Sequence, residues 1–183
     1  LLAAAVMTYL LVTMGGVVCL MDASQGCPDW PGCYGQLFPP LRLDSIVEYT
    51  HRMLAALTSL LIIALAVVGW WKTPLIRWVT WPPTIALGFL MAVTVFGALV
   101  VLQGLSPGMA AVDLASALAV LALVLAASVV ASTRRDQRGL PDRLSFRSAY
   151  ARLALGTAGA VFLVLVSGVL VANGAPVGRC LGW

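Results

Sequence analysis

The run Glu48-Tyr49-Thr50-His51-Arg52 places an acid, the chain's single histidine and a guanidinium at the head of a long apolar segment. Residues 48, 51 and 52 stand at i, i+3 and i+4, so in a helix all three share one face. Ionisable side chains at membrane depth cost about 2.5–3.5 kcal/mol each on the insertion scale and mark functional sites by default. A neutral imidazole facing a helix-lined cavity is a natural haem-iron ligand. The neighbouring carboxylate could relay a proton, and Arg52 could pair with Glu48 or with a haem propionate.

A second reactive group lies upstream, in Gly26-Cys27-Pro28-Asp29-Trp30-Pro31-Gly32-Cys33-Tyr34-Gly35. Cys27 and Cys33, on a path bent by two prolines, can close a small disulfide loop in an oxidising compartment. They could also exchange electrons with a thiol-disulfide partner. No further Cys or His stands nearby, which argues against zinc. Cys19, inside an apolar stretch, reads as an inert buried thiol.

The elements that must position these residues are membrane spans. Charged residues make up 10% and the apolar set 61% of 183 residues, which excludes an ordinary soluble domain. Five segments are long and apolar enough to cross a bilayer: 1–21, 47–71, 82–103, 109–133 and 151–173. Pro82-Pro83 is expected to open the third span and Pro107 the fourth. The short link 104–108 makes spans three and four an antiparallel hairpin. Recurrent Gly15-Gly16, Gly88, Gly97, Gly156, Gly159 and Gly168 would allow close helix approach.

Lys72 and Arg77 follow the second span; Arg134, Arg135, Arg138, Arg143, Arg147 and Arg152 follow the fourth or flank the fifth. By the positive-inside rule, loops 72–81 and 134–150 are cytoplasmic and loop 22–46 is external. The formal charge of +4 therefore reflects topology. Without interleaved aromatics, these basic residues give no case for nucleic-acid binding, and membrane lipid is the partner they fit. Trp70, Trp71, Trp78 and Trp81 read as an aromatic belt at the inner interface.

A faint repeat completes the pattern. Gly16 and its apolar run lead to Cys27-Pro28-Asp29-Trp30, as Gly168 and its run lead to Cys180-Leu181-Gly182-Trp183. Repeats of this kind occur in membrane proteins built from two related bundles. The expected architecture is all-α and integral to the membrane. Residues 1–133 form an antiparallel four-helix transmembrane bundle, 134–150 a basic linker, and 151–183 the span and loop that begin a second bundle. The chain thus reads as part of a longer polypeptide.

Cys-Pro-Asp-Trp-Pro-x-Cys-Tyr-Gly after a first span, followed by Glu-Tyr-Thr-His-Arg opening the second, resembles the haem A synthase family of cytochrome oxidase assembly. The stretch 100–115, with Gly104-Leu105-Ser106-Pro107, is similar to that family as well. The resemblance implies two related four-helix bundles, each holding haem between histidines, in a plasma or other energy-transducing membrane. It implies oxidation of the haem O methyl group to the formyl group of haem A, with haem b or haem O as the bound group. Glu48 then resembles the family's essential acid, His51 a haem-iron ligand, and Cys27 and Cys33 the external cysteine pair. Haem O synthase, cytochrome oxidase or another electron-transfer complex, and a thiol-disulfide partner are the implied associates.

One departure stands out. Six residues after Pro107, where the family places a second histidine, this chain has Asp113. A carboxylate does not substitute for imidazole in a bis-histidine site without changing affinity and potential. Asp113 is expected at the depth of His51, as part of the cofactor pocket, accepting a hydrogen bond from His51 or pairing with Arg52. The resemblance thus implies an active enzyme with an altered ligand set, or a non-catalytic relative serving as a membrane subunit or assembly factor.

Overall fold

The computed structural model describes residues 1–36, 38–72, 76–103, 106–136 and 148–172. Five helices carry the fold: α1 (Leu2–Leu20), α2 (Leu43–Lys72), α3 (Arg77–Gln103), α4 (Pro107–Asp136) and α5 (Ala149–Ala172). All five are long and apolar enough to cross a membrane. A chain of this kind must satisfy its backbone polar groups within each span, which helices do. Hydroxyls inside the spans follow the same logic: Thr8, Ser59, Thr84 and Ser128 each donate to the carbonyl four residues earlier. Among the described residues there is no strand, only one isolated bridge between Cys33 and Gln36.

Helices α1 to α4 close a ring: α1 packs on α2, α2 on α3, α3 on α4, and α4 back on α1. The α3–α4 hairpin is the most extensive pairing. The core draws on all four helices, through Ala4 and Ala5, Ile62, Ala86, and Val120 with Val124. Small residues from α1 and α3 meet branched ones from α2 and α4, so the layers interdigitate. Helix α5 lies against α4 and contributes no buried residue to its apolar stretch.

Three expectations change here. Helix α3 begins at Arg77, so Pro82 and Pro83 lie inside it and do not open it. Both are buried, and because they follow the first turn they leave the α3 hydrogen-bond ladder two donors short. Among the described residues, Gly16, Gly88, Gly97, Gly156, Gly159 and Gly168 meet nothing within 4 Å of a built Cβ, so they make no close helix approach there. Cys19 is held in a disulfide and is not a free thiol.

At the end of the bundle where α1 finishes and α2 begins, a short 3-10 turn (Ala23–Gln25) leads into the cysteine loop. Val18, Ala23 and Val47 make a small cluster there, backed by Met14 and Val17. Gly26 is required at this corner: a Cβ would sit 2.6 Å from the Asp44 carbonyl carbon and oxygen. Ser45 donates from Oγ to the Gly26 carbonyl at 2.7 Å, pinning the loop entry to the first turn of α2. At the other end, Trp70 and Trp81 meet edge-on with centroids 5.7 Å apart, and Trp70 Nε1 donates to Thr84 at 3.0 Å. Cys180 and its neighbours, and residues 137–147 of the basic linker, lie outside the described residues.

Candidate functional site

The first turns of α2 carry the cluster. Glu48 and Arg52, four residues apart on one helix, form an ion pair with side chains only 5% and 11% exposed. Glu48 accepts on both oxygens, Oε1 from Arg52 and Oε2 from the Cys27 backbone N–H at 2.8 Å. Arg52 Nη1 donates to the carbonyls of Asp29 and Gly32 at 2.6 and 2.5 Å. Its Nη2 donates to the Cys27 carbonyl at 3.0 Å and to Glu48. A guanidinium has five N–H donors, and four are committed here.

The partner of this clamp is a closed loop. Cys27 and Cys33 form a disulfide and are fully buried. Asp29 ties the interior of the loop, accepting from the N–H of Tyr34 at 2.6 Å and of Gly35 at 2.7 Å. Those two residues turn the chain through positive φ, at 56° and 66°. The backbone N–H of Gly35 is the main cause holding the Asp29 carboxyl below its ordinary value; burial opposes it, and the Tyr34 N–H adds to the lowering. Farther along, Arg42 pairs with Asp44 at 2.9 Å in a largely exposed contact. That pair draws the Arg42 pKa upward and is screened by water.

His51 stands between the two members of the clamp but does not join it. Its Nδ1 is buried without a hydrogen-bond partner. Nε2 is not among the buried unpartnered atoms and makes no hydrogen bond among the described residues. The ring rests on α1, where a Cβ on Gly15 would stand 3.3 Å from Cε1. An imidazole with neither nitrogen hydrogen-bonded, in a cradle that a methyl group would crowd, fits a haem-iron ligand.

Asp113 does not meet the expectation set for it. Its Oδ1 is buried with no hydrogen-bond partner. Neither ion pair among the described residues involves it, since Arg52 is taken by Glu48. Hence Asp113 neither accepts from His51 nor pairs with Arg52. Its bonds explain the latter: four Arg52 N–H groups are already given to three loop carbonyls and Glu48. Thr58, seven residues along α2 from His51, is likewise buried with an unpartnered Oγ1. Gln103 is exposed and lines no interior.

Sequence reasoning missed the roles of Asp29 and Gly15. An Asp two residues after a Cys, ahead of a Gly-containing turn, signals side-chain capping of the backbone and could have been read. Nothing in the sequence distinguished Gly15 from Gly16.

These features define a multi-pass α-helical membrane protein whose second helix clamps a disulfide-closed loop beside a lone histidine. The chain belongs to the cytochrome oxidase assembly protein family (COX15-CtaA), which it matches over residues 1–47 and 42–180. It is 33% identical over 127 residues to the haem A synthase of Bacillus licheniformis, covering 64% of this chain and 42% of that protein. With the haem A synthase of Staphylococcus haemolyticus it shares 30% identity over 167 residues, 87% of this chain and 53% of the relative. It is also 38% identical over 96 residues to a protohaem IX farnesyltransferase of Halobacterium salinarum, covering 52% of this chain and 21% of that protein. The chain therefore spans about half or less of the curated relatives it matches. No solved structure matches it.

Proposed function

We propose that this chain is the haem-binding bundle of a haem A synthase, a membrane oxidoreductase that converts the haem O methyl group to a formyl group. The observation that carries this reading is His51. It is the only histidine, set within the family's motif, with a free Nε2 on a half-buried ring. Bound haem would supply the redox chemistry of its iron. His51 would hold the iron, Asp113 would line the pocket from α4, and the clamped loop would close the outer end. Because Asp113 stands where a second imidazole is expected, His51 would be the single strong ligand this chain offers to the iron.

The roles of Glu48 and Arg52 follow from their bonds. With four N–H groups engaged, Arg52 holds the loop and not a propionate. Glu48 serves as a proton-handling acid only when one of its two hydrogen bonds opens. That full engagement favours a second reading, in which the chain is a non-catalytic relative acting as a membrane subunit or assembly factor. Positive-inside asymmetry places the cysteine loop outside and the basic loops in the cytoplasm. Residues 149–172 then begin a second, related bundle. Substrate arrives from a haem-farnesylating enzyme, a reading supported by the farnesyltransferases that share about half of this chain.

Absorption spectroscopy of the purified protein with added haem b tests the pocket. Wild type should give a Soret band that His51→Ala loses, and no band in wild type would rule the pocket out. Haem A formation in a complementing host tests the chemistry. Loss in both His51→Ala and Glu48→Gln supports the enzyme, whereas unchanged haem A in both supports the subunit.

A further inference from the structure

The ring of His51 is oriented by packing, because no hydrogen bond holds it. In metal-binding histidines the nitrogen that does not bind metal usually donates to a carboxylate or carbonyl, which fixes the ring. Here Nδ1 is buried and unpartnered. Glu48 and Arg52, one turn and one residue away on the same helix, are both engaged with the cysteine loop. Asp113 on α4 makes no bond to the ring. The ring instead occupies the space that a side chain at Gly15 of α1 would need. A Cβ there would lie 3.3 Å from Cε1 and 4.0 Å from Nδ1.

A separation of 3.3 Å is inside the usual carbon contact of about 3.5–4.0 Å, so a side chain at position 15 would push the ring. Cε1 lies between the two nitrogens, so any such push redirects both. Gly16, the next residue, meets nothing within 4 Å. Two adjacent glycines on one helix are thus unequal, and only one reaches the histidine.

We propose that Gly15 is a positioning residue for His51: the α1 backbone at Gly15 sets the orientation of the imidazole and so aims Nε2 at the metal. The purpose of that orientation rests on the haem reading, but the contact does not.

Because His51 is the only histidine, protein labelled at histidine 13Cε1 gives one ring resonance in detergent micelles. Without haem, Gly15→Ala should move that resonance well beyond its linewidth, and Gly16→Ala should leave it at the wild-type position. With haem b added, Gly15→Ala should weaken binding on the order of tenfold, the loss typical of removing an outer contact to a metal ligand. The electron paramagnetic resonance of the ferric form should shift with it, and Gly16→Ala should match wild type in both. An unmoved ring resonance in Gly15→Ala overturns the proposal. Wild type that binds no haem overturns the haem reading instead, and the resonance still decides the role of Gly15. Should Gly15→Ala fail to fold, the His51→Ala/Gly15→Ala double variant decides. Recovery of folding supports a clash with the ring, and continued failure shows that the glycine serves another contact and ends the proposal.

Discussion

The Glu48 carboxylate accepts a 2.8 Å hydrogen bond from the backbone N–H of Cys27, a residue twenty-one positions earlier in the chain. This bond joins a side chain at the head of a membrane helix to the disulfide of an adjoining loop. Arg52 reinforces it from the next turn, reaching the Cys27, Asp29 and Gly32 carbonyls. A cluster that looks like an active-site acid and base in the sequence is, in the fold, also the fastening of a lid.

Removing the guanidinium should expose that dual role. Arg52→Ala strands a buried carboxylate and three loop carbonyls, and breaking a buried pair this way costs about 3–5 kcal/mol. Arg52→Lys keeps the charge but lacks the planar fork, so it should recover only part of the loss. Denaturant unfolding in detergent measures both. Equal stability of wild type and Arg52→Ala would falsify the clamp.

Reduction of the Cys27–Cys33 bond should be slow and modest in its effect. Both sulfurs are buried, so a dithiol must wait for the loop to open. The bond spans a sequence separation of 6. So short a loop is worth about 2 kcal/mol by chain entropy. Thiol trapping over time should show slow reduction in wild type and faster reduction in Arg52→Lys. Immediate reduction in wild type would contradict the buried, clamped loop.

The loop should also carry an acid limb traceable to Asp29. Its folded pKa lies below 3.8 because Gly35 and Tyr34 donate to the charged form. A depressed carboxyl stabilises the fold above its unfolded value, and that contribution is lost as pH falls through the lower folded value. Stability to denaturant should therefore hold down to about pH 4 and fall below it. In Asp29→Asn that acid limb should vanish and stability should be lower throughout.

Asp113 invites the opposite expectation. A buried carboxylate oxygen without a partner costs stability, so Asp113→Asn should stabilise the haem-free protein, by about 1 kcal/mol or more. Asp113→His would place an imidazole where the family carries one. Added haem b should then show a low-spin, six-coordinate spectrum and tighter binding. An unchanged spectrum in Asp113→His would place the residue away from the iron.

Spans and the reactive cluster were legible because hydropathy and i, i+3, i+4 spacing are local properties. Five apolar runs had to be helices, and Glu48, His51 and Arg52 had to share a face. What could not be read was the direction in which each side chain is used. Arg52 faces three loop carbonyls, which no spacing rule reveals. Asp113 was expected to find a partner because an isolated buried acid is unfavourable, yet the available cation was already committed. Gly15 and Gly16 are chemically identical, and only the rotation of α1 about its axis separates them. The start of α3 was misplaced because proline is favoured at a helix start, whereas the helix reaches back to Arg77.

The bonds made by Arg52 have a kinetic meaning as well. Cys27, Asp29 and Gly32 are held only as long as the head of α2 keeps its place, and the reverse is equally true. Loop and helix head therefore open as one cooperative unit, not by separate fraying. In amide hydrogen exchange, the N–H groups of Cys27, Tyr34 and Gly35 should lose protection together with those around Arg52, at a single opening rate. The deeper core of Ile62 and Val124 should open only with the whole bundle.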